Sequence, residues 1–354
     1  MSGLKLYLPD QRRGVMPIAY VHALAQMGVD GLVLIEPEDS FVSVGYFDDT
    51  DQVVDRQRCG ALGVPVVRRW IGGGPVLLGP GQVFYQLVLS RGSPLVPPRI
   101  DDAYRILSAP VVDAYMRLGV DVRYRPINDL VAMDGRKISG QGAADIEGSF
   151  CFVGAVLRHF DTALMAELLR VPDEKLRGRL HETLQDNVTS IVDQTGVEPS
   201  TEEVIKVLST CFSSLLGPLI ATPLPDEVGD LAVSLCKTLT SPEELGRRTG
   251  RRHRAIKLRE GVETRFGVHK APGGLIRADV DVRDGFIESA TLFGDFTFLP
   301  GDRFAGLCEA VSGIAFDTSE VCLAVRRYMQ AYSVQCPGVT PEDFAIAICG
   351  ESAN

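Results

Sequence analysis

The sequence predicts an α+β protein built from two units, and three observations carry that prediction. Strand-like and helix-like segments alternate through the first 170 residues. From about Thr162 to Gly250 the pattern turns mainly helical. Beyond it, a cleanly alternating β-hairpin is followed by amphipathic helices. The basic run "RRTGRRHRAIKLRE", Arg247 to Glu260, interrupts an acidic chain and reads as a solvated linker. The expected units are therefore 1–250 and a smaller 251–354.

The elements follow in order. "GLVLIEPEDSFVSVGYF" holds two apolar, β-branched runs split by the turn-former "EPED". "QVVDRQRCGALG" has apolar residues at helical spacing and ends in Gly63, a C-terminal cap. "VPVVRRW" is a strand leading into glycines, and "VFYQLVLS" a strand leaving them. "IDDAYRILSAPVVDAYMRLG" is an amphipathic helix with Tyr104, Leu107, Val111, Ala114, Tyr115 and Leu118 on one face. "VDVRYRPINDLVAMDGRKISGQG" reads as strand, turn, strand, with Asp134-Gly135 as the hairpin signal. Ser200-x-x-Glu203 and Ser241-x-x-Glu244 open helices as capping boxes. Near the end, "GGLIRADVDVRDGFIESATLFGDFTFLP" turns at Arg283-Asp284-Gly285. Two helices follow, then a last one capped by Thr340-x-x-Asp343.

Bulk properties exclude several function classes. With 354 residues, 45% hydrophobic and 23% charged, the chain is an ordinary globular protein. A formal charge of −10 argues against nucleic acid as the main partner. No apolar run is long enough to span a membrane, and the N-terminus lacks the pattern of a signal peptide. Eight cysteines are scattered without a C-x-x-C spacing, which speaks against zinc and disulfides and for a reducing cytoplasm. A monomer is expected.

The stretch "RRWIGGGPVLLGPGQ", Arg68 to Gln82, sets bare backbone beside two arginines and suggests an anionic ligand. It matches neither the phosphate loop of nucleotide-binding proteins nor the dinucleotide fingerprint. Consecutive strand residues face opposite ways, so Arg69 is assigned to the pocket and Arg68 to the structure or the surface. A second cluster, Asn128-Asp129-Leu130 followed by Gly135 to Gly140, flanks Lys137 with glycines. Its ammonium is a compact charge suited to a phosphate oxygen.

Three blocks, "VSVGYFDDTDQVVDRQRCGALGVPVVRRWIGGGPV", "NDLVAMDGRKISG" and "LLRVPDEKLRGR…NVTSI", together resemble the lipoate–protein ligase and octanoyltransferase superfamily. The block "KAPGGLIRADVDV…FGDFTFLP" resembles the accessory domain of lipoate ligases, here fused. The resemblance implies a biotin/lipoate-ligase-like catalytic domain, with mixed sheets flanked by helices, and a smaller α+β accessory domain. It implies that lipoate attacks the α-phosphate of ATP, and that a carrier lysine then attacks the lipoyl-AMP. Lys137 would be catalytic. Arg69, Gly72, Gly73, Gly74 and Val76 would line the acyl-adenylate pocket, with Ser139, Gly140, Gly154 and Ala155. Asp129, supported by Asn128, would carry Mg²⁺, and Ser43 and Gly45 would border the lipoyl slot. ATP and Mg²⁺ are implied as co-substrates, with no tightly bound cofactor. The implied partner is a lipoyl carrier: a lipoyl domain, the glycine-cleavage H protein, or a specialised lipoate-binding protein of sulfur oxidation.

The chain also departs from the ligase pattern. Leu78-Gly79 stand where ligases carry a His-Asp pair, and "GPGQ" is closer to ATP-independent octanoyltransferases. Val153-Gly154-Ala155 replace a His-Gly-Thr motif. An octanoyl- or lipoyltransferase is thus the alternative reading, and a non-catalytic carrier-binding or lipoate-sensing protein the third. Cys151, in an apolar run, is read as core, and His253 and His269 as ordinary surface residues. Trp70 either closes the pocket or packs beneath the loop.

Overall fold

The computed structural model describes residues 3–247 and 262–350. The expected junction at 250/251, His253 and nearly all of the basic run lie outside the described residues. The architecture is α+β, with a six-stranded mixed sheet at its centre. Across that sheet the strands run Gly142–Ile146, Ser149–Leu157, Gln82–Ser90, Gly31–Ile35, Leu4–Tyr7 and Leu219–Ala221. The last three pair in parallel and the others antiparallel.

Period-two alternation explains why this sheet is buried on both faces. Along Gln82–Ser90, Val83, Tyr85, Leu87 and Leu89 enter one core, while Phe84 and Val88 enter the other. The first face is covered by helices Ile100–Arg117 and Thr201–Leu216, the second by Met16–Gln26 and Asp226–Leu239. Apolar rows at helical spacing place Tyr104, Leu107, Val111, Ala114 and Tyr115 in the first core. Ser200 and Ser241 accept from the backbone N–H of Glu203 and Glu244, so both expected helix starts stand.

Two small sheets sit beside the large one. Phe41–Val44 lies between Val66–Arg68 and Val76–Leu78, and the hairpin Asp129–Ala132 to Lys137–Gly140 is extended by Val122–Arg125. Gly135, at φ +87°, supplies the turn that its Asp-Gly pair promised. "QVVDRQRCGALG" is not one helix. It splits into Thr50–Val53 and Arg56–Ala61, because the Asp55 carboxylate caps the second piece through Arg58 N. Val54 between them bridges to Leu169.

Residues 262–350 form a three-stranded antiparallel sheet, Val262–Ala271, Gly274–Arg283 and Phe286–Gly294, covered by helices. The final helix carries the full capping box at Thr340 and Asp343. His269 is not an ordinary surface residue. Its Nε2 lies 2.7 Å from a carboxylate oxygen of Asp343, which ties the first strand to that helix.

The core of this smaller unit contains one residue from far upstream. Phe47 stacks on Phe296 at 5.5 Å and meets Phe304 edge-on at 4.8 Å. Phe47 O accepts from Gly294 N at 2.8 Å. The next residue, Asp48, is buried and pairs with Arg277 at 3.4 Å. Phe47→Ala should cost about 3–5 kcal/mol, as removal of a packed phenyl group does, read from urea unfolding. Burial raises the Asp48 carboxyl to about 6, with Arg277 opposing the rise and Asp295 adding to it. The folded state thus keeps a proton that the unfolded chain releases near its usual 3.8. That stabilisation is present at low pH and is lost as pH rises toward 6. The stability of Asp48→Asn relative to the native chain should therefore grow between about pH 4 and 6 and stay constant above it. Urea titrations of both proteins across that range give the difference, and a flat difference would contradict it.

Candidate active site

Two buried arginines shape the glycine loop. Arg68 is fully buried, with Nε donating to Glu244 O at 2.8 Å. Its Nη1 donates to the carbonyls of Gly45 at 2.8 Å, Tyr46 at 3.3 Å and Asp48 at 2.7 Å. Its Nη2 reaches Thr50 Oγ1 at 2.8 Å and Leu245 O at 3.0 Å. The expected surface alternative for Arg68 therefore falls away.

Arg69 faces the other way, as the strand geometry required. Its Nη1 donates to Ser43 O at 2.9 Å, and its Nη2 to Gly72 O at 2.8 Å and Gly74 O at 2.9 Å. With Nε on Gly72 O and Nη1 also on Ser43 Oγ, every donor of the guanidinium meets a protein oxygen. Arg69 therefore holds the loop from within, its guanidinium donors met by Ser43, Gly72 and Gly74. Burial lowers its pKa to about 10, Arg68 contributing and Asp48 opposing.

The loop is pressed from two sides. A side chain on Gly45 would overlap the Gly73 carbonyl oxygen. From the smaller unit, Phe296 O accepts from Gly73 N at 3.2 Å, and a Cβ on Gly72 would stand 2.6 Å from that oxygen. Gly74 lies against Asp295, and Gly73 itself has φ +91°. Trp70 packs beneath: its Nε1 donates to Glu244 Oε1 at 3.2 Å, and its ring lies 5.2 Å from that of His22. His22 is fully buried, and burial with Arg69 nearby lowers its pKa to about 3, so it is neutral.

The second cluster lies next to this loop, since Gly142 sits against Ile71. Lys137 Nζ is 2.7 Å from Asp129 Oδ1 and lies over Gly140, where a Cβ would stand 2.7 Å away. Arg125 holds Asp129 Oδ2 at 2.8 Å. The Lys137 backbone is fixed too, its carbonyl accepting from Thr189 N at 2.8 Å. Asn128 does not face the charges; its Nδ2 donates to Gln141 O at 2.6 Å and braces the strand.

The remaining candidates surround a buried tyrosine. Ser139 Oγ donates to Ala155 O at 2.7 Å and lies 3.3 Å from the Tyr85 hydroxyl. Ser139 is thus a core hydroxyl, because its strand turns that face inward. Gly154 is small because the Tyr85 hydroxyl occupies the space of its side chain. Ser43 is buried with its carbonyl on Arg69, and Val76 pairs opposite it. Sequence reasoning missed Tyr85, Gln141 and the segment Asp295–Thr297. "FGDFTF" reads only as the end of a strand, and no local pattern says where that end docks.

Both oxygens of Asp129 are engaged by cations, Arg125 and Lys137. Among the described residues no group of three His, Cys, Asp or Glu side chains is placed to hold a metal.

Comparison with known proteins finds two family models along the chain. Residues 19–213 match the Lipoyl protein ligase A/B catalytic domain, and 266–348 the Bacterial lipoate protein ligase C-terminus. Lipoate-protein ligase A subunit 1 of Thermoplasma acidophilum is 28% identical over 61% of this chain and 85% of its own. Octanoyltransferase LipM of Kyrpidia tusciae is 28% identical over 50% of this chain and 72% of its own. A structure of the bi-partite lipoate protein ligase and its E2 lipoyl domain from T. acidophilum superposes with a TM-score of 0.62. It is 26% identical and covers 72% of this chain and all (100%) of its own. P. falciparum LipL1 in complex with lipoate, 12% identical, shares the fold over 94% of this chain and 98% of its own, with a TM-score of 0.69.

Gly45→Ala tests the packing of the loop. Forcing a methyl group onto the Gly73 carbonyl should cost about 1–3 kcal/mol in urea unfolding. An unchanged midpoint would show that the two turns are not packed as described.

Proposed function

The chain belongs to the lipoyl protein ligase A/B family, and on that premise we propose that it is an ATP-dependent lipoate–protein ligase. In this reading a catalytic unit, residues 1–250, is fused to an accessory unit, 251–354. The observation that carries the reading is the Lys137 ammonium, held over bare Gly140 beside the glycine loop. In the first step a lipoate carboxylate oxygen attacks the α-phosphorus of ATP, and pyrophosphate leaves. In the second the amine of a carrier lysine attacks the acyl carbon, and AMP leaves with the electron pair of the broken bond. Both steps gather negative charge on oxygens, and a fixed ammonium donor stabilises such charge most where water is excluded. Lys137 exchanges Asp129 for phosphate and carboxylate oxygens, while Arg125 keeps Asp129 neutralised. Magnesium, arriving on the phosphates, would supply further charge neutralisation, with Asp129 its protein ligand.

The second reading, an ATP-independent octanoyl- or lipoyltransferase, is favoured by the octanoyltransferase relatives and by "GPGQ". A transferase that carries its acyl group on cysteine needs an accessible thiolate. Cys151 is fully buried opposite Val88 in the central sheet, and burial pushes its thiol far above the usual range. Cys59 and Cys211 are buried in other cores. The eight cysteines are free, which suits a cytoplasmic setting. The carrier is a lipoyl-type domain. A solved T. acidophilum lipoate protein ligase is described together with its E2 lipoyl domain; the H protein and a specialised sulfur-oxidation carrier are the other acceptors in this reading.

The deciding experiment is pyrophosphate release from lipoate and ATP, with and without a lipoyl domain. Release without carrier supports the ligase. Transfer from octanoyl-acyl carrier protein without ATP would replace it with the transferase. Lys137→Ala should lower adenylate formation by about 10²–10³ with the fold intact, and Cys151→Ala should leave the rate unchanged.

A further inference from the structure

Glu244 is a buried acid where its helix needs only a cap. In a capping box the Glu244 carboxylate would return to the backbone N–H of Ser241, but that N–H donates to Thr238 O at 3.0 Å. Ser241 Oγ still caps the short helix Pro242–Leu245 by accepting from Glu244 N at 3.1 Å. The carboxylate is thus released from the cap, and it lies 3% exposed against the residues that lead into the glycine loop. Its Oε1 accepts from Trp70 Nε1 at 3.2 Å, and its Oε2 from Nε and Nη2 of Arg247 at 2.9 and 2.6 Å. Arg247 supplies the opposite charge that a buried carboxylate requires, with its guanidinium 5.9 Å from the Tyr46 ring.

Trp70 stands two residues before Gly72, in a stretch whose backbone is held from three sides. Arg69 N donates to Val44 O at 3.0 Å, Trp70 N to His22 Nε2 at 3.4 Å, and Tyr46 N to Ile71 O at 3.0 Å. Those bonds fix the main chain. The indole is set between the His22 ring, at 5.2 Å, and the Glu244 carboxylate. We propose that Glu244 is a positioning residue for the acyl-adenylate. Through Trp70 it sets the approach to Gly72, Gly73 and Gly74, and so the bare backbone that receives the ligand. The proposal rests on the ligase reading above. Glu244 lies outside both stretches that match family models, 19–213 and 266–348, so the family resemblance assigns it no role. The contact with Arg68 is made by the Glu244 backbone carbonyl, which a side-chain substitution leaves in place. Arg247 has a side chain 47% exposed, so on losing its partner it turns to water.

Calorimetry on the full chain without carrier, with lipoyl-AMP as the probe, tests the assignment beside the fluorescence of Trp70, the single tryptophan. Glu244→Leu leaves the indole N–H without an acceptor, so its emission should shift and lipoyl-AMP should bind about 10-fold more weakly. Glu244→Gln keeps an oxygen for Trp70 and should stay within about threefold of the native affinity. Trp70→Phe should weaken binding at least as much as Glu244→Leu does. The two changes together should cost no more than the larger single loss, because both act on one contact. Native affinity per folded molecule in Glu244→Leu would overturn the assignment and leave Glu244 a structural residue. Equal losses in Glu244→Leu and Glu244→Gln would overturn it too, as would additive losses in the double variant. A native chain that binds no lipoyl-AMP would instead remove the ligase reading, and this role of Glu244 with it.

Discussion

Two adjacent guanidinium groups, Arg68 and Arg69, hold the site together. A buried cation is tolerated only when its donors find acceptors, and here these are mostly backbone carbonyls of loops that have no regular structure of their own. Such loops need partners for their carbonyls as much as the arginines need acceptors. One interaction satisfies both. Because strand neighbours point to opposite faces, Arg68 gathers the turn after Val44 and the segment near Glu244, while Arg69 gathers the glycines. The glycine loop therefore has a fixed shape before any ligand arrives, which is the condition for electrostatic catalysis without reorganisation.

That clasp also explains how the smaller unit reaches the site. The turn gripped by Arg68 contains Phe47, and Phe47 is a core residue of the smaller unit. The same unit returns a contact through Phe296 O on Gly73 N. Aromatic burial thus fixes one side of the loop and a backbone hydrogen bond the other.

Charge is distributed differently from what the arginine pair suggested. The cations beside the glycines are enclosed and used, while the exposed ammonium belongs to Lys137, half-exposed across Asp129 from Arg125. A compact ammonium on a flexible stem can leave a carboxylate for a phosphate oxygen. A guanidinium bound by all five donors cannot do so without unmaking the loop.

The sequence by itself determined whatever depends on neighbours along the chain. The apolar run from Val83 to Leu89 gave a strand, Asp134-Gly135 gave the hairpin that carries Lys137, and Thr340 with Asp343 gave the last helix its start. Each is a contact between residues a few positions apart, so local pattern suffices to specify it. The family blocks identified the region of the site for the same reason, being runs of adjacent residues. Only the tertiary structure decided what lies across the fold. The acceptors of Arg68 include Leu245, the aromatic partners of Phe47 lie near residue 300, and Gln141 is buried beside Tyr85. A side chain's donors, charge and size can be read in the sequence, but their use depends on which distant backbone or ring occupies the adjoining space. That is set by the packing of whole elements and not by the periodicity of any one of them.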